Sequence, residues 1–206
     1  MRTNSELRKA AVASLTGKWG PAAILTLIYF VVFGGLPNAF DNSPALQVVA
    51  LLLLIALCPM QWGFCMAFLD VSRGKNVDYG TLLEGFKDYA RIFLTMLLQS
   101  IYVCLWSLLL VIPGIVKAYS YSMTNYVLRD NPELKYDAAI EKSMQMMEGN
   151  KMKLFLLDLS FIGWGILCIF TLGIGCLFLA PYQQTSHAHF YNDLKGDFGC
   201  EKAEML

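Results

Sequence analysis

Charge is scarce in this chain. Only 16% of its 206 residues are Asp, Glu, Lys or Arg, against 56% hydrophobic, and mean hydropathy is +0.49. So apolar a composition excludes an ordinary soluble domain and implies a polytopic membrane protein. Histidine occurs only at 187 and 189. On one helix these two point about 200° apart, so they cannot share a metal on a single face. The six cysteines, at 58, 65, 104, 168, 176 and 200, have neither metal nor redox spacing and read as free thiols, five of them in apolar runs. No Gly-rich phosphate loop, paired Glu-x-x-His or Gly-x-Ser-x-Gly is present. The chain therefore reads as a non-enzyme, with no catalytic residues, cofactor or metal expected. Residues 71–91 hold four bases against three acids, a balance that does not suggest nucleic acid and suits an anionic inner leaflet better. Arg2 to Lys18 is too long and too mixed for the n-region of a signal peptide.

The charges that are present fall in a pattern. Fifteen of the sixteen Lys and Arg residues lie in four segments that alternate with apolar hairpins; Lys117 is the exception. An excess of Lys and Arg marks cytoplasmic loops, so all four segments and both termini are expected on that side. The 37 residues between Arg91 and Arg129 would make a helix about 56 Å long. A bilayer core is only ~30 Å thick, so two spans are expected, 92–112 and 115–128, turned at Pro113 and Gly114. Residues 19–36 and 46–69 make an earlier pair joined by an outer loop at 38–44. Residues 152–171 and 176–191 make a later pair turned at Gly173 and Gly175.

An amphipathic segment precedes each pair. Thr3 and Glu6 stand at capping-box spacing before Leu7, Ala11 and Leu15. Asp78 is expected to cap a helix bearing Tyr79, Leu82, Leu83 and Phe86. Asn131 and Pro132 are expected to open one bearing Tyr136, Ala139, Ile140, Ser143 and Met147. The reading is an all-α membrane protein of six transmembrane helices in three hairpins, each preceded by a short amphipathic interfacial helix. It forms a single polytopic domain over 1–206, with parallel repeat units of about 3–70, 78–130 and 132–193. Parallel units differ from the inverted repeats of many transporters.

Ionisable residues inside spans are functional candidates, which singles out Lys117 and Asp158. Counting from the nearest boundary puts them at different depths, so Lys117 is expected to snorkel to the outer headgroups. Asp158 matches the depth of His187 and is expected to hydrogen-bond to it or to Gln183 or Gln184. With Tyr182 and Tyr121 these residues form a candidate polar cluster that either clamps helices together or lines a cytoplasm-facing cavity.

The run Leu105-Trp106-Ser107 through Ile112-Pro113-Gly114-Ile115, then Tyr119-Ser120-Tyr121-Ser122-Met123-Thr124 and Asp130-Asn131-Pro132, resembles the signature of a bacterial family of integral membrane proteins, domain of unknown function 975 (DUF975). Ser143 to Gly149, Lys153 to Trp164, Thr171 to Gly175, Pro181-Tyr182 and Phe190-Tyr191 continue it, and the Gly17-Lys18-Trp19-Gly20 start also fits. Asn125 stands where that pattern implies a proline. The resemblance implies a multi-pass inner-membrane protein with no assigned reaction and carries over no catalytic residue. A looser architectural similarity to the membrane anchor of some glycerophosphodiester phosphodiesterases implies a module that works beside lipid enzymes. The expected function is a non-enzymatic module in envelope lipid homeostasis or partner scaffolding, with membrane lipids and a membrane protein as partners. The alternative is a carrier or channel for a small amphiphile.

Overall fold

The computed structural model describes residues 1–39, 44–171 and 173–204, and among them it contains eleven helices and no strand. The expected outer loop at 38–44 lies largely outside the described residues, as does Leu172 of the third turn.

The capping box forms as read: Glu6 N–H donates to Thr3 Oγ1 and Thr3 N–H donates to Glu6 Oε2 at 2.8 Å, opening α1 (Asn4–Leu15). Leu7, Ala11 and Leu15 are fully buried on its inner face. Gly17, at φ +79°, turns the chain into α2 (Trp19–Ala39), which is bent 97° from α1. The return leg is broken at Leu57 into α3 (Pro44–Ala56) and α4 (Cys58–Ser72), with Pro59 near the start of α4, where its missing N–H costs nothing.

The second unit departs from the expected boundaries. Asp78 Oδ1 accepts from Gly80 N–H at 2.9 Å, but helix α5 is only Thr81–Glu84. Its stripe divides, with Leu82 buried and Leu83 exposed, because a single turn can present only one of them to the core. α6 (Tyr89–Leu109) and α7 (Val111–Tyr121) form the expected hairpin, yet the turn is at Leu110, in extended conformation at φ −160°, and not at Pro113. Pro113 sits in the first turn of α7, where a missing N–H leaves no helical bond unmade. Gly114 serves a different purpose: any Cβ there would collide with Ser107 of α6, so the glycine lets the two helices close on each other. The return continues, after a break at Ser122 and Met123, as α8 (Thr124–Asp130).

In the third unit α9 (Asp137–Met146) starts later than Pro132. Arg91 Nη1 donates to the carbonyls of Pro132 at 3.1 Å and Leu134 at 3.3 Å, and Tyr136 N–H donates to Thr95 Oγ1 at 3.2 Å. These bonds hold residues 132–136 off the helix, with Tyr136 at φ +48°. Gly149, at φ +72°, turns into α10 (Lys151–Phe170), matching Gly17 in the first unit. Gly173, at φ +85°, and Gly175, whose N–H donates to Thr171 Oγ1 at 3.0 Å, make the third turn before α11 (Cys176–Glu204).

Among the described residues two helices, α6 and α10, are long and apolar enough to cross a membrane, and up to four spans result if the bent pairs α1–α2 and α3–α4 each count as one. The expectation of six such spans is not reproduced. α7 and α8 are separated by a break, and α11 carries a polar run from Tyr182 to Asp193. The shell is lipid-like all the same. Leu108, Leu109, Leu110, Val111 and Ile112 at the second turn are 63 to 85% exposed, and Ile169 and Phe170 at the third are 75% and 81% exposed.

Candidate functional site

The intramembrane carboxylate gathers three donors from two other helices. Asp158 lies two turns into α10; Gln183 and His187 lie one turn apart on α11, on one face by i, i+4 spacing. His187 Nε2 is 2.6 Å from Asp158 Oδ1, and Gln183 Nε2 donates to the same oxygen at 3.3 Å. Tyr119 of α7 donates its hydroxyl to Oδ2 at 3.1 Å. The cluster joins the second hairpin to the third, a link that sequence counting along one hairpin could not anticipate. Both carboxylate oxygens are engaged, and the side chains of Asp158 and His187 are 24% and 19% exposed.

The other candidates lie apart from it. Gln184 is half-buried one residue round α11 and outside the cluster. Tyr182 sets its ring edge-on to Phe161 at 5.0 Å. Tyr121 is buried 6.4 Å from the ring of Tyr102, whose hydroxyl donates to Asp137 Oδ1 at 2.7 Å. His189 faces away from His187 and meets Ser14 Oγ of α1 at 2.9 Å, as their helical separation requires.

Lys117 packs between the two legs of its own hairpin and α9. Its Nζ sits 5.0 Å over the Trp106 ring and 4.0 Å from Met144 Sδ of α9. That helix exposes Asp137, Glu141 and Gln145, and it touches the hairpin at Tyr102, Lys117 and Ser120.

A second constellation lies at the ends of the three return legs. Asp130, closing α8, accepts from Arg73 Nη1 at 2.9 Å and Nη2 at 2.7 Å, from Lys195 Nζ at 2.7 Å and from Tyr191 Oη at 3.1 Å. Burial alone would raise its carboxyl, but the hydrogen bonds from Arg73 and Lys195 outweigh that and hold it at about 2. Arg73 also donates to Asn192 Oδ1 at 3.3 Å, and Asn192 donates to Ser72 Oγ at 3.0 Å. Beside this hub Arg129 pairs with Glu84 and Asp70, and Asp70 with Lys75 at 2.9 Å. Arg2 Nε donates to Asp193 Oδ1 at 2.9 Å. From the sequence Asp130 stands only as the end of the 78–130 unit and the start of the Asp130-Asn131-Pro132 motif, and is not among the expected site residues. A signal was present: Pro59 to Gly74 and Pro181 to Gly196 have the same spacing, which puts Arg73 and Lys195 at one repeat position, each before a glycine.

The family described as "Protein of unknown function (DUF975)" matches residues 1–117 and again 108–197, so that the two matches together cover nearly the whole chain and overlap at the second hairpin. No curated protein matches the chain, and no solved structure does.

Proposed function

Because the chain belongs to the DUF975 family, whose function is unknown, we propose its role from its own geometry: a non-enzymatic module of the bacterial inner membrane that supports envelope lipid homeostasis. Both termini are cytoplasmic, and the second and third hairpins enter the bilayer from that side and return without emerging. The observation that carries this reading is the segregation of the molecule into a paired, charged face around Asp130 and an apolar shell that continues over the hairpin turns. A crossing hairpin normally turns in headgroups or water, where polar residues serve better than leucine. Trp19, at the start of α2, contacts Phe178 just past the third turn at 6.3 Å, which also favours a shallow hairpin.

The Asp158 cluster then acts as a clamp between hairpins. Its three hydrogen bonds are worth ~0.6 to 2 kcal/mol each in a membrane. A carrier or proton relay would need a mobile partner for Asp158, and both of its oxygens are already held. The test is deletion of the gene in its host, with profiling of envelope phospholipids. A shifted profile restored by the intact chain and by Asp158→Asn is expected. An unchanged profile would contradict a lipid role and leave scaffolding of a protein partner.

A further inference from the structure

The N-terminal helix and the third hairpin enclose an apolar groove of about 430 Å³, lined among others by Val12, Trp19, Trp164, Leu167, Phe178 and Tyr182. A second cleft of about 400 Å³ lies against it, lined by Ser5, Arg8, Lys9, Val12, Ala13 and Tyr182. Val12 and Tyr182 belong to both, so a basic pocket opens onto an apolar one. Arg8 Nε is buried with no hydrogen-bond partner. An N–H of a permanently charged group left so costs free energy that a bound acceptor would recover. Arg2, one and a half turns earlier, is by contrast satisfied by Asp193. Among the described residues no carboxylate lines either cleft, and the nearby Glu6 is committed to Thr3.

We infer that this is a binding site for one anionic phospholipid, its phosphodiester held by Arg8, Lys9 and Ser5 beside the Tyr182 ring and one acyl chain laid in the groove. The inference rests on the lipid reading above and supplies its ligand class. A free phosphate would use the basic cleft but gain nothing from the groove. A zwitterionic headgroup would bring its own ammonium towards two cations that form no ion pair among the described residues.

The test is native mass spectrometry of the full chain in nanodiscs containing equal phosphatidylglycerol and phosphatidylcholine. Compared are the intact protein, Arg8→Gln/Lys9→Gln, Val12→Trp and the exposed-lysine control Lys135→Gln, each with and without inorganic phosphate. Retention of phosphatidylglycerol should fall about tenfold in the double variant and in Val12→Trp, stay unchanged in Lys135→Gln, and resist millimolar phosphate. Equal retention in all four proteins would overturn the site, as would displacement by phosphate alone. Val12→Trp changes no charge, so a fall confined to the double variant would also contradict the groove. If binding is equal throughout while deletion still shifts the envelope lipids, the site is wrong and the lipid role stands.

Discussion

At the scale of single residues, two carboxylates hold the molecule together in different media. Asp158 is within the apolar region and gains by hydrogen bonding. Asp158→Asn keeps an acceptor for His187 and Gln183, so a loss of about 1 kcal/mol is expected, whereas Asp158→Ala removes all three bonds and should cost about 2–3 kcal/mol. Unfolding by denaturing detergent in mixed micelles would measure both. Asp130 gains by ion pairing at the charged face, and Asp130→Asn leaves Arg73 and Lys195 facing an uncharged group, a loss of about 2–3 kcal/mol. Its depressed carboxyl also makes stability depend on pH. The contribution is complete above the ordinary value of 3.8 and disappears as pH falls towards about 2. Thermal unfolding followed down that window should show a fall that Asp130→Asn flattens. Of these two sites only Asp158 was legible in the sequence, because an acid inside an apolar run stands out and its depth matches His187. Tyr119 and the partners of Asp130 come from other hairpins; the matched Pro59–Gly74 and Pro181–Gly196 spacings put Arg73 and Lys195 at one repeat position, but their approach to Asp130 depends on packing between hairpins.

At the scale of elements, the second hairpin shows how a plain leucine can do what a Pro-Gly pair announces. The expected break at Pro113 and Gly114 was three residues late. Proline is tolerated in the first turn of a helix, and an extended leucine leaves no mark in the sequence. Gly114 matters for contact: Gly114→Ala should destabilise by about 1–3 kcal/mol, with part recovered in Gly114→Ala/Ser107→Gly, while Pro113→Ala should change stability by less than about 1 kcal/mol. Equal effects of the two single substitutions would restore the Pro-Gly turn. The third amphipathic helix was placed correctly along its stripe but not at its start, because Arg91 and Thr95 of α6 capture the backbone of residues 132–136. The first was read correctly through its capping box, a signal confined to four residues.

At the scale of the whole molecule, short helices precede longer hairpin legs along the chain, and residues of α8, α11 and the end of α4 converge on Asp130. The all-helical, membrane-competent character followed from composition; the number of spans did not, since apolar length says how far a helix can reach and not where water begins. α9, which exposes Asp137, Glu141 and Gln145, meets the second hairpin at Tyr102 and Lys117, only seven or eight residues from its turn, about 10–12 Å along either helix. In the insertion proposed above, the turn then stays in lipid. The most direct measurement is a cysteine placed at Leu110 in an otherwise cysteine-free chain. It would be probed with a membrane-impermeant maleimide from each side and, after labelling with a fluorophore, by quenchers fixed at known depths along the lipid chains. The account predicts no reaction from either face and strongest quenching within the acyl region. Ready labelling from the outer face would show that the hairpin crosses and would contradict a module inserted from the cytoplasmic side.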